Sequence, residues 1–100
     1  MNKYILKDKK AIRCDDLSEW GAWFETADRI VAKTTLPDSK KISTVFLGLD
    51  YSFENGKPLL FETMVFPEDS YLDLDMERYS TWEEAEEGHK KMVEKYSHEM

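Results

Sequence analysis

The chain reads as an α+β domain, an antiparallel sheet in the order ββ-α-βββ-α with both helices packed on one face. Three observations predict this. Two segments carry apolar residues at helical spacing behind capping residues. Several runs are dense in β-branched and aromatic residues. Asn55-Gly56 is the strongest local turn signal, since both central residues of a tight hairpin turn need positive φ. The 100 residues suffice for a single domain over 1–100, and a hydrophobic fraction of 41% is too high for a disordered chain.

Taken in order, residues 3–7 (KYILK) and 10–14 (KAIRC) alternate around Asp8-Lys9 and predict a small hairpin. Asp16 is the expected N-cap of a first helix over Leu17 to Ala27, with Glu19 at the capping-box spacing. Leu17, Trp20, Trp23, Phe24 and Ala27 then fall mostly on one helical face. Ile30 to Leu36 reads as a strand and Pro37-Asp38-Ser39-Lys40 as a turn led by proline. Lys41 to Phe53 is a long strand and Pro58 to Phe66 its return; Pro67 to Arg78 reads as an acidic connection. Thr81-Trp82-Glu83-Glu84 is a second capping box, opening a helix over Trp82 to Ser97. Its early glutamates and late lysines suit the helix dipole.

A two-residue loop at Asn55-Gly56 sets Glu54 against Lys57, Phe53 against Pro58, Tyr51 against Leu60 and Val45 against Phe66. A four-residue loop at 37–40 sets Leu36 against Lys41 and Ala32 against Val45. One face then holds Ile30, Ala32, Val45, Leu47, Leu49, Tyr51, Leu60, Met64 and Phe66, and is the expected bed for the helices. The other holds Val31, Phe46, Phe61 and Val65 among polar residues, an apolar cluster that is the candidate interface unless the N-terminal hairpin covers it. A register slip of one residue would exchange the two faces.

Candidate chemistry is sparse. Glu62 interrupts an apolar strand and is expected to face the helices, where Arg29, His89 or the indole of Trp20, Trp23 or Trp82 would partner it. A satisfied structural carboxylate is the ordinary expectation for it; a pocket carboxylate contacting a ligand is the functional one. Glu86-x-x-His89 has the spacing of carboxylate-bridged metal sites but lacks the second such pair, so His89 is expected at the core or its boundary. Asp73-x-Asp75-x-Glu77 lacks the glycine and distal glutamate of a calcium loop. The single cysteine, Cys14, excludes an internal disulfide framework and multi-cysteine zinc sites. No phosphate loop or nucleophile motif is present. An enzyme is therefore not expected, nor is any cofactor, metal or catalytic residue assigned.

Charge is more informative. The formal net charge of −7 argues against direct nucleic-acid binding. No apolar run approaches a membrane span, and the start MNKYILKDKK lacks the apolar core of a secretion signal, so a cytoplasmic protein away from membranes is expected. Residues 1–41 carry nine basic and seven acidic residues, and residues 42–100 five and fourteen. Glu68, Asp69, Asp73, Asp75, Glu77, Glu83, Glu84 and Glu87 form the candidate acidic docking patch, either a solvated face or a surface for a basic protein.

The α-βββ-α portion resembles the double-stranded-RNA-binding domain in element order, but Trp82-Glu83-Glu84-Ala85-Glu86-Glu87 stands where that family places lysines, which excludes RNA binding. The segments Trp20-x-x-Trp23-Phe24, Ser43 to Asp50 (STVFLGLD), Leu59 to Phe66 (LLFETMVF) and Arg78 to Val93 (RYSTWEEAEEGHKKMV) are similar to a group of short uncharacterised proteins encoded by bacteriophages and bacteria. That resemblance implies a cytoplasmic phage or prophage accessory protein and names no catalytic residue. The expectation is a non-enzymatic protein that self-associates, a homodimer being the simplest form, or docks on a host protein. The alternatives are an acidic inhibitor occupying the nucleic-acid surface of a host defence or transcription protein, and a small-ligand binder or minor enzyme using Glu62.

Overall fold

The computed structural model describes residues 1–52 and 56–98. The elements are β1 (Tyr4–Lys7), β2 (Lys10–Arg13), α1 (Leu17–Thr26), β3 (Ile30–Thr35), β4 (Lys41–Phe46), β5 (Phe61–Phe66), β6 (Asp75–Tyr79) and α2 (Trp82–Ser97). β1 and β2 form a two-stranded sheet; β3-β4-β5-β6 form a four-stranded one, and all pairings are antiparallel. The α+β class is as expected. β6 is an addition, running from the end of the segment read as an acidic connection to Tyr79 just beyond it. As an edge strand it needs only one core residue, Tyr79, and its sequence therefore shows no apolar run.

Local chemistry accounts for the ends of the elements. The Asp16 carboxylate accepts the Glu19 N–H at 3.0 Å. Thr81 and Glu84 exchange hydrogen bonds of 3.1 Å in each direction, a complete capping box. Asp8 and Lys9 turn the first hairpin with φ of 51° and 66°, adopting without glycine the left-handed conformations this turn needs.

Both expected registers shift. Between β3 and β4, Ser39 adopts φ 72° and its N–H reaches Leu36 O at 2.9 Å, so Thr35 rather than Leu36 faces Lys41. That single residue turns Ala32 and Thr34 toward the side of Thr44 and Ile42, until a bulge at Val31 restores Ile30 opposite Val45. Between β4 and β5, Val45 faces Glu62, not Phe66. The expected Glu54–Lys57 and Phe53–Pro58 pairs and the Asn55 half of the turn lie outside the described residues. Just beyond them, Tyr51 N–H reaches Leu59 O, while Leu47 N–H reaches Leu60 O. Residues 48–50 are the surplus that separates these two pairings. They bend away at Gly48 (φ 78°) and pair instead with the N-terminal chain, Tyr4 N–H to Gly48 O and Asp50 N–H to Asn2 O. The slip in β4–β5 is an even number of residues, so those two strands keep their expected grouping into faces.

The helices, however, cover the opposite face. α2 packs across all four strands of the larger sheet. Its Met92 and Tyr96 join Leu36, Ile42 and Val65 in one cluster, and its Ala85 joins Phe46, Leu60, Phe61 and Tyr79 in a second. The β1–β2 hairpin adds Tyr4, Leu6 and Ala11 to the second cluster, and α1 adds Trp23, edge-on to Phe46 at 5.8 Å. The expected apolar interface is therefore overturned: Phe46, Phe61 and Val65 are 0% exposed, and Val31 packs against the cluster of Phe46 and Phe61. The physical reason is the placement of charge. On the two central strands the covered side carries hydroxyls and no charge, whereas the other side carries Lys41 and Glu62. A charge placed under a helix loses its hydration and must recover it from partners.

Candidate functional site

The uncovered face of the four-stranded sheet is the surface this fold leaves available. Val45, Met64, Phe66 and Met76 form its apolar centre, with Met64 directly opposite Met76 and Ile30 opposite Val45. Ile30 is 44% and Met76 40% exposed. Around them stand the charged side chains of Lys33, Lys41, Glu62 and Arg78. Glu62 thus faces away from the helices, contrary to expectation. Its partner is Arg78, the residue opposite it on β6, at 2.9 Å. The Arg78 guanidinium also lies 4.7 Å from the ring of Tyr51. Glu62 is a satisfied carboxylate in a cross-strand ion pair. Of the partners expected for it, Arg29 donates to Phe46 O at 3.0 Å and the Trp20 indole to Tyr4 O and Gly48 O, while the buried Trp82 indole N–H makes no hydrogen bond among the described residues.

His89 is buried beneath α2, as a core histidine. Its Nε2 lies 2.8 Å from Thr34 Oγ1 and its Nδ1 2.7 Å from Thr44 Oγ1, which is itself 2.6 Å from Thr63 Oγ1. One ring nitrogen donates and the other accepts, so a neutral imidazole satisfies the chain of hydroxyls. Burial pushes its pKa below the ordinary histidine value. Beside it, Tyr79 packs closely against Gly88, where an added Cβ would fall 2.2 Å from the ring. The Tyr79 hydroxyl makes no hydrogen bond among the described residues; burial raises its pKa, against a smaller opposing effect of the Thr63 hydroxyl.

One end of the open face is walled by the β5–β6 loop to make a cleft of about 700 Å³. Lys33, Lys41, Ser43 and Phe66 of the face line it, with Pro67, Asp69, Ser70 and Tyr71 of the loop. Reading the sequence for metal and nucleophile motifs could not have found this site. The signal was the run of like-facing Lys33, Lys41 and Phe66, visible only in the correct register.

The candidate acidic patch divides. Glu77, Glu83, Glu84 and Glu87 come together around a shallower cleft of about 410 Å³ with Tyr79, Gly88 and Lys91. Asp75 is held apart by Lys95 Nζ at 2.8 Å and the Tyr96 hydroxyl at 2.9 Å. The Lys95 hydrogen bond, foremost, lowers its pKa. Asp69 lines the larger cleft, and Glu68 and Asp73 are exposed in the loop beside it. Among the described residues no group of three or more His, Cys, Asp or Glu side chains is placed to hold a metal ion. No helix among them is long and apolar enough to cross a membrane. Comparison with protein-family models, curated proteins and solved structures finds no match to this chain.

Proposed function

We propose that this is a non-enzymatic protein that acts through protein–protein contacts, with the open face of the four-stranded sheet as the contacting surface. The observation that carries this reading is the one-sided packing: α2, α1 and the β1–β2 hairpin all lie against the Phe46 side, and the Met64 side keeps its apolar centre half-buried or exposed. The two sheet edges are poorer candidates. β3 carries a bulge and Lys33, and β6 carries Asp75, Glu77 and Arg78, features that discourage pairing with another strand. The same reading includes an accessory role in the cytoplasm of a bacterial host, which the resemblance noted from the sequence would imply. Light scattering of the full chain tests the reading. The expected result is a mass above the 11.8 kDa of one copy, little changed by salt and reduced to one copy by Met64→Asp. Equal masses for the two proteins at every salt concentration would overturn it.

A second reading rests on the groove of Glu77, Glu83, Glu84 and Glu87, which would suit a basic protein whose own ligand is a nucleic acid. Such binding would collapse between low and moderate salt, whereas association through the Met64 face would persist.

A further inference from the structure

Residues 67–74, joining β5 to β6, read Pro-Glu-Asp-Ser-Tyr-Leu-Asp-Leu, with three acids and no base. Tyr71 is 100% exposed, Leu72 81% and Leu74 50%. This is not a frayed end. The Ser70 hydroxyl accepts the Leu72 N–H at 3.1 Å and Val65 O accepts the Leu74 N–H at 2.7 Å. An internal loop thus presents three large apolar side chains between carboxylates, at a free-energy cost that a covering partner would relieve.

The cleft beside it has the opposite character. Lys33 faces Ser43 and Thr35 faces Lys41, so the two lysines are diagonal neighbours on one face of β3 and β4. Neither makes an ion pair or side-chain hydrogen bond among the described residues. With Asp69 the only acid in its lining, the cleft has a formal charge of +1, from two lysines less one aspartate, in a chain of net −7. Phe66 and the lysine stems supply the apolar surface.

We infer that the partner of this face is a second copy of the chain, and that the 67–74 loop of each copy fills the Lys33–Lys41 cleft of the other. The inference rests on reading the open face as a docking surface, and it names the occupant. Loop and cleft adjoin on the same margin of the sheet. One contact made twice about a two-fold axis therefore satisfies both copies and closes the assembly at two. Tyr71 and Leu72 leave water against Phe66 and the lysine stems, while the Glu68 and Asp73 carboxylates meet the two ammonium groups. The chain is acidic overall, so these opposed charges let a second copy approach this margin where like charge would repel it elsewhere.

Sedimentation of the full chain, with four exposed substitutions and circular dichroism to confirm folding, tests this. The wild type is expected to be a dimer. Lys33→Glu with Lys41→Glu, and separately Glu68→Lys with Asp73→Lys, are each expected to weaken dimerisation by about tenfold or more, because cleft and loop then carry like charge. An equimolar mixture of the two variants is expected to recover a dimer made of one copy of each, since every cleft again faces a loop of opposite sign. A monomeric wild type, variants that dimerise as tightly as wild type, or a mixture that stays monomeric would overturn the inference. Dimerisation lost in Met64→Asp but indifferent to both charge reversals would defeat this inference and leave the open-face reading standing. The reverse pattern would defeat the open-face reading.

Discussion

On β4 and β5 the covered and open faces are made by the same twelve residues, taken alternately. The covered side presents Ile42, Thr44, Phe46, Phe61, Thr63 and Val65; the open side presents Lys41, Ser43, Val45, Glu62, Met64 and Phe66. Both are rich in large apolar side chains. They differ in what their polar groups require. The hydroxyls of Thr34 and Thr44 are met by one neutral imidazole, His89, carried on α2, and that of Thr63 by Thr44. An ammonium and a carboxylate are met at lower cost by water and by a neighbour such as Arg78. The lesson is that a helix takes the face whose polar groups it can satisfy, and hydrophobicity alone does not choose between two greasy faces.

The sharpest contrast between the faces is in truncation. Phe61→Ala, beneath α2, is expected to lower the unfolding free energy by about 3–5 kcal/mol. Phe66→Ala on the open face is expected to cost about 1 kcal/mol, because its site is already partly wet. Denaturant unfolding of both variants measures this, and equal losses would mean the faces are packed alike.

Gly88→Ala probes how closely α2 approaches. The new methyl would fall on the Tyr79 ring, and the overpacking is expected to cost about 1–3 kcal/mol. Adding Tyr79→Ala removes the obstacle, so the double variant should be more stable than the sum of the single losses implies. Strict additivity would show that the ring moves aside freely.

Acid distinguishes the faces by their polar chemistry. His89 titrates below its unfolded value, so the unfolded chain binds the extra proton first. Its contribution to stability is complete above about pH 6.5 and is lost as pH falls toward the folded value, with a slope of at most about 1.4 kcal/mol per pH unit. His89→Gln should flatten that slope in chemical unfolding measured from pH 7 to 5; an unchanged slope would assign the proton to another group. In stronger acid a second loss follows. Asp75, lowered chiefly by Lys95, stabilises the fold above the ordinary carboxylate range and ceases to do so once protonated. Asp50 behaves likewise: burial acts to raise its pKa, but the Ser52 and Leu59 N–H groups outweigh it.

The smallest effect on stability is expected at Met76→Thr, within about 0.5 kcal/mol of wild type. The same change should weaken self-association if the open face is the interface. Unfolding and light scattering on one sample would separate the two roles.

Much of this molecule is legible residue by residue. The Asp16 cap, the Thr81–Glu84 box, the Trp82–Ser97 helix and the position of the turn after Leu36, though not the one-residue register shift it imposes, follow from interactions spanning four residues or fewer, and short-range chemistry is written in short stretches of chain. So is the grouping of β4 and β5 side chains, because alternation survives any even slip. Three features escaped because distant segments settle them. β6 exists through its pairing with β5. The β4–β5 register depends on residues 48–50 being drawn to the N-terminal chain. The choice of covered face depends on His89 meeting threonines from two strands and on Gly88 admitting Tyr79. Each of these compares the solvation and packing of groups far apart in the chain, a sum that exists only once the chain has folded.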